Sequence, residues 1–308
     1  MRAEQKIISL LDSVREKGLL QSEIAKILNL SKSTVSEILS ELEEQKVVHR
    51  EEVSPKSYRV WLLKFFPGSI EGILRIGILK ASEYTKLVSA GEKVGAIFRV
   101  YRNGIEATKD LIRGIVDIVA SPFITQAFFG VLMKNITIFR VVAMNGSGIV
   151  HSNGRGFGCS EFSTMERVLR KYLKAKNMRE EIRFFDSAEE MIAKLETLRG
   201  MAVWEPYLSM FDEKELFNET IGDFVCCTLA VNNHFLKVNK ILFDEFLNAF
   251  DRSGAEEGVE TLTKLTGFSQ QVIKKSLSSY IFDAEFEDLK KEIEELRFGR
   301  VEEILCFY

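Results

Sequence analysis

From Ile73 onward, short apolar runs alternate with amphipathic helical stretches, and no other feature of the chain constrains its fold as strongly. The runs are Leu74–Leu79, Ala96–Tyr101, Val116–Ala120 and Ile136–Asn145, separated by helical stretches near residues 84, 104 and 122. A strand that recurs after each helix can pair in parallel with an earlier one, which argues an α/β domain of doubly wound sheets. A second series follows, with a helix at Ser163–Lys176, a strand at Ile182–Asp186, a helix at Ser187–Leu198 and a strand at Gly200–Trp204. Phe224–Phe250 then reads as a strand followed by a long helix, and a helical tail closes the chain. Only His151–Phe162 marks its strand poorly.

The chain has 308 residues, 46% hydrophobic and 28% charged with 4 prolines, so a packed globular protein with room for a small module beside a larger one is expected. Its net charge of -3 means that any affinity for nucleic acid must come from a local basic patch. The start, Met1–Lys6, lacks the basic-then-apolar pattern of a secretory signal, and no apolar run is long enough to span a bilayer. The expected location is cytoplasmic, with no membrane partner. Cys159, Cys226, Cys227 and Cys306 show no CxxC spacing, and His49, His151 and His234 are scattered. Buried free thiols are expected, with no metal site and no cofactor.

Before the alternating region, Ile7, Ile8, Leu10, Leu11 and Val14 gather on one face of a first helix, which Gly18 ends. A short second helix spans Gln21–Leu28, and the turn Asn29-Leu30-Ser31 leads into a third. In that third helix Val35, Ile38, Leu39 and Leu42 face a core, while Lys32, Ser33, Thr34, Ser36 and Glu37 face outward. Lys46–Val53 can pair with Ser57–Leu63 across Ser54-Pro55-Lys56 as a two-stranded wing with a basic tip.

This N-terminal stretch, carried by "QSEIAKILNLSKSTVSEILSELEEQKVVHR", resembles the winged helix-turn-helix repressors, MarR-like ones included. The resemblance implies a head that binds double-stranded DNA, its third helix in the major groove and its wing on the backbone. The expected contacts are Lys32, Ser33, Thr34 and Ser36 from the helix and Lys56 and Arg59 from the wing. A protein-docking role for the same module is the plainer alternative, and Ser31 can serve simply as a helix cap.

The larger region is similar to the type II periplasmic-binding-protein fold, in the branch of alkanesulfonate, nitrate and thiamine-pyrimidine binders. The stretches "LRIGILKA", "LIRGIVDIVASPF", "STMERVLRKYL", "GMAVWEPYL" and "TLTKLTGFSQQVIKKSLSSYIF" carry that resemblance by their order. Periodicity breaks at Lys64–Ser69, which sets a head at residues 1–63 and a connector at 64–72, and the resemblance implies a two-lobed domain at 73–308, with lobe I at 73–149 and 225–308 and lobe II at 150–224. The crossovers between lobes are expected near Val150 and Phe224.

Ligands of such folds sit at the carboxyl ends of strands. Five loops meet that condition and supply Ser82 and Tyr84, Ser121 and Phe123, Asn145, Ser163 and Thr164, and Trp204, Glu205 and Tyr207. Hydroxyls at helix starts suit an anionic end and aromatic rings a flat body, so the expected partner is a small anionic or heteroaromatic effector. As single residues, the serines read equally well as caps and the aromatics as core. The leading function is a ligand-responsive transcription regulator acting as a homodimer. No nucleophile–base set stands out, so no catalytic residue is assigned. The alternatives are a synthase of the thiamine-pyrimidine type, for which Glu83 and Glu205 are the carboxylates to consider, and a DNA-bound adaptor that recruits a protein.

Overall fold

In the computed structural model, which describes residues 2–282, 284–296 and 300–306, the chain divides into two units, Met1–Gly68 and Ser69–Tyr308. The first unit runs α1 (Ala3–Val14), β1 (Leu19–Leu20), α2 (Gln21–Leu28), α3 (Lys32–Glu44), β2 (Val48–Ser54) and β3 (Ser57–Leu62). Ile7, Leu11, Ile24, Val35, Leu39, Leu42 and Val60 form its core, which is the periodicity of the three helices folded inward. Gly18 stops the turn after α1 at a φ of 56°, and a Cβ there would lie 2.6 Å from the Trp61 ring. The glycine is therefore needed both for its backbone angle and for the close approach. Ser31 caps α3 by accepting the Thr34 N–H at 3.0 Å. Strands β2 and β3 form the antiparallel wing with Lys56 in the left-handed region at its tip, and β1 joins the other edge of β3. With two residues, β1 is too short to leave a pattern in the sequence.

In the second unit, β4 (Arg75–Leu79), α4 (Thr85–Lys93), β5 (Ile97–Tyr101), α5 (Gly104–Ile112), β6 (Ile118–Pro122) and α6 (Phe123–Met133) are consecutive strand–helix units. β4 lies between β5 and β6 and is parallel to both. The Arg75 side chain fixes the start of this sheet. Asp117 accepts its backbone N–H, its Nε and its Nη2, each at 2.9 Å, and both side chains are buried.

β7 (Ile136–Asn145) hands the chain to a second sheet. That part comprises β8 (Ser147–His151), β9 (Phe157–Cys159), α7 (Thr164–Ala175), β10 (Ile182–Phe184), α8 (Ala188–Ala193), β11 (Gly200–Trp204), β12 (Glu215–Leu216) and α9 (Phe217–Ile221). β13 (Val225–Asn232) then returns to the first sheet, followed by α10 (Asn233–Val238), α11 (Lys240–Arg252), α12 (Val259–Thr266), α13 (Gln270–Ser276), β14 (Tyr280–Ile281) and α14 (Phe286–Leu296). The sheet orders are β14-β7-β13-β6-β4-β5 and β10-β9-β11-β8-β12. β13 is antiparallel to both its neighbours, so the first sheet is mixed and only its β5-β4-β6 part follows the parallel pattern expected of alternating strands and helices.

The chain leaves the first sheet at Gly146, where φ is 70° and a Cβ would lie 1.8 Å from the Tyr280 ring. Ser147–Ile149 therefore pair in the second sheet, and the crossing falls before the Val150 position expected for it. The helix expected after β13 is broken at Asn239, whose side chain accepts from Gly72 N–H at 2.8 Å and donates to Ile70 O at 3.1 Å. α14 lays Phe286, Leu289, Ile293 and Leu296 on the core around the first sheet. Among the described residues, no helix is long and apolar enough to cross a membrane.

Candidate functional site

The two lobes of the second unit meet at a crevice built from strand ends. β4 and the turn after it supply Ala81, Glu83 and Tyr84, β5 leads to Asn103 and Gly104, and β6 ends in Pro122. From the other lobe, β9 leads to Ser160, Ser163 and Thr164, and β11 ends in Trp204. Cys226 and Cys227, at the start of β13, close the floor. The space in the crevice, its open mouth included, is about 440 Å³. Among the described residues that line it there is no Lys or Arg; the start of α5, capped by Asn103, and the start of α7, capped by Ser163, both border it.

Hydrogen bonds hold the lobes together around this space. Thr164 donates its hydroxyl to Cys226 O at 2.6 Å, Trp204 donates Nε1–H to Lys80 O at 2.9 Å, and Ser82 donates N–H to Glu205 O at 3.1 Å. Lys80 also pairs with Glu189 at 2.8 Å.

Of the residues expected at the site, Tyr84, Ser163, Thr164 and Trp204 line the crevice together. The other six do not line it, each for a visible reason. Ser121 is buried behind the sheet, bonded to Thr108 at 3.0 Å and to Gln126 at 2.9 Å. Ser82 accepts from Ser276 at 2.7 Å, and Phe123 is packed in the core. Asn145 spans the two crossovers, bonding Asp223 and Phe224. The Glu205 carboxylate accepts from Ser209 N–H at 2.9 Å and from the Ser279 hydroxyl at 3.2 Å. Tyr207 donates to Glu189 at 2.6 Å and packs its ring against Phe268. Of the two carboxylates considered for a synthase, Glu83 lines the crevice and Glu205 does not.

Glu83, Cys226 and Cys227 were not expected together at a site. A change of register in β13 between Val225 and Cys227, and again between Cys227 and Thr228, disturbs the alternation that would send adjacent side chains to opposite faces. The two sulfurs lie 3.7 Å apart, and Tyr84 donates to Cys227 Sγ at 3.3 Å. Burial raises the Glu83 carboxyl to about 7 against the opposing hydrogen bonds of Cys227, Tyr84 and Cys226. Burial likewise pushes the Cys227 thiol well up. Glu83, Cys226 and Cys227 are the described residues able to offer a metal ion three ligand atoms within 4.8 Å of one another.

In the first unit, Lys32, Ser33 and Lys56 are exposed, and Thr34, Ser36 and Arg59 half-buried. Lys32 and Lys56 share a shallow depression with Gln21, Ser22, Ser57 and Tyr58, where the starts of two helices meet the wing. The Ser33 and Thr34 hydroxyls both bond Ser31 Oγ at 2.8 Å, while Arg59 donates to Lys17 O at 3.0 Å. Glu43, one of the acidic residues of α3, is paired to Arg50 at 2.6 Å.

Residues 8–56 match the MarR family. A search of the curated proteins finds no match. Among solved structures, the second unit is similar to the ligand-binding component of an ABC-type import system from Staphylococcus aureus, with zinc bound: 16% identity, 73% of this chain, 92% of that chain, TM-score 0.63. The alkanesulfonate-binding protein SsuA from Xanthomonas axonopodis pv. citri, bound to MOPS, aligns at 13% identity over 78% of this chain and all of that chain, TM-score 0.60. The periplasmic nitrate-binding protein NrtA from Synechocystis PCC 6803 aligns at 14% identity over 71% and 74%, TM-score 0.56. At these identities the likeness is one of fold. The chain thus joins a MarR-family winged-helix domain at its N-terminus to a two-lobed α/β domain with the periplasmic-binding-protein fold.

Proposed function

We propose that the protein is a DNA-binding transcription regulator whose large domain takes a small effector between its lobes and performs no chemistry on it. The MarR-family head supports the DNA-binding half of this reading. The observation that carries the other half is the convergence of the α5 and α7 starts, Asn103-Gly104 and Ser163-Thr164, on one crevice beside Trp204. Two helix starts favour a negatively charged end, and an indole ring favours a flat body. An anionic effector is in keeping with the fold's similarity to proteins described as binding alkanesulfonate and nitrate. DNA contacts fall to the outer face of α3, with Ser33, Thr34 and Ser36 toward base edges and Lys32, Lys56 and Arg59 toward phosphates. A homodimer follows from the reading, because two heads on two half-sites bind far more tightly than one. A protein that reads DNA and senses effectors in this way works in the cytoplasm.

The test is native mass spectrometry of protein purified without added ligand, followed by titration of operator DNA with and without the molecule recovered. By linkage, effector and DNA must change each other's affinity by the same factor, on the order of 5 to 150-fold. A recovered molecule that binds in the crevice and leaves DNA affinity unchanged refutes the regulatory reading.

A further inference from the structure

We propose that Glu83, Cys226 and Cys227 form a binding site for a thiophilic divalent cation of the Zn²⁺ class, with the fourth coordination position open to the interlobe crevice. Three independent observations carry it. The first is ligand geometry. A tetrahedral zinc with Zn–S bonds of about 2.3 Å sets its two sulfurs about 3.8 Å apart, and Cys226 Sγ and Cys227 Sγ lie at 3.7 Å. The carboxylate joins them within 4.8 Å. Adjacent residues of a regular strand cannot do this, and the irregular register of β13 is what aims both thiols the same way.

The second observation is an unmet need. Glu83 is 2% exposed, and although Cys227, Tyr84 and Cys226 bear on its carboxyl group, the Oε2 atom itself has no hydrogen-bond partner. A buried carboxylate oxygen left without a partner is costly, and a cation removes that cost.

The third is access. All three residues line the crevice, so the ion has an entry path and keeps one position free for water or an effector. Three protein ligands and an open fourth position distinguish this arrangement from a closed structural zinc site. Thiolate and carboxylate together favour zinc over the softer monovalent copper. Without metal the thiols carry their protons, and binding releases these to solvent as the two metal–sulfur bonds form. The same crevice is bordered by the α5 and α7 starts, so a negatively charged effector would meet the cation and those helix starts in one space.

The site stands apart from the DNA reading, and the titration that tests it uses no DNA. Full-length protein is stripped with chelator under reductant and titrated with Co²⁺, then with Zn²⁺ in competition. One equivalent of Co²⁺ with thiolate-to-metal charge-transfer absorption, displaced by Zn²⁺, is expected. The Cys226→Ser/Cys227→Ser double variant should lose that absorption, and Cys306→Ser, which alters an exposed thiol elsewhere, should keep it. Glu83→Gln keeps the side-chain volume and both thiols, so it remains informative if the double variant fails to fold. It should weaken Zn²⁺ at least about 10-fold, because even changes outside the ligand set cost 10- to 100-fold in metal sites. No metal uptake by reduced wild-type protein, or unchanged uptake in Glu83→Gln, overturns the proposal.

Discussion

Asn145 and Phe224 clasp the two crossovers of the large domain: the Asn145 N–H donates to Phe224 O at 3.0 Å, and its side-chain oxygen accepts the Phe224 N–H at 3.2 Å. Asn145 does this from the left-handed region, at a φ of 65°. Asn145→Ala should therefore lose both the side-chain bonds and the conformational tolerance, lowering the unfolding free energy of the large domain by about 2–4 kcal/mol. Asn145→Gly, which tolerates that φ, should lose less. Denaturant melts of the two variants provide the comparison, and equal losses would place the whole effect in the side-chain bonds.

Thr164 reaches across the crevice to Cys226 O, so Thr164→Val removes one bond between the lobes and keeps the shape. A buried hydrogen bond is worth about 1 kcal/mol net, or roughly fivefold in the closing equilibrium. Trp204, bonded to Lys80 O across the same crevice, reports on it. Its emission should shift to the red in the variant and return in Thr164→Ser. An unchanged spectrum would mean that the lobes stay closed without this bond.

The Arg75–Asp117 pair is buried on both sides, with the Arg75 side chain 1% exposed. Asp117→Ala leaves the guanidinium without its countercharge and should destabilise the domain by about 3–5 kcal/mol. A double variant of matched apolar residues at both positions should recover much of that loss. If the single variant melts like the wild type, the pair does not hold the start of the sheet.

On the head, Lys32→Ala and Lys56→Ala should weaken binding to all DNA sequences alike and reduce the salt slope by about 1 each. Ser33→Ala and Ser36→Ala should instead alter sequence preference. Arg59 donates to Lys17 O, so its replacement should lower the stability of the head as well as its affinity. Footprints and melts on the same protein distinguish the two effects, and an unchanged footprint in every variant would remove α3 and the wing from the DNA interface.

The features that were legible in the sequence are those with a local cause. The three helices of the head follow from apolar spacing, and Ser163-Thr164 and Trp204 followed from a helix start and a strand end. Ser121 met the same local conditions, but Gln126 and Thr108 occupy its hydroxyl, and no spacing reveals that. The cluster of Glu83 with Cys226 and Cys227 was hidden for two reasons. Its parts are brought together by β13 inserting antiparallel between β6 and β7, and its thiols converge only because that strand breaks its register. Alternation, the rule by which strands are read, points the two cysteines apart.

The bonds across the crevice have a kinetic consequence. Thr164, Trp204 and Ser82 tie the lobes together around it, so an effector held between the lobes enters as those bonds part. Uptake is then gated by the opening step: its observed rate should level off as concentration rises, at the frequency with which the lobes separate. The same bonds reform behind the captured molecule, so residence time, and with it the persistence of the bound state after free effector has gone, is set by reopening and not by diffusion.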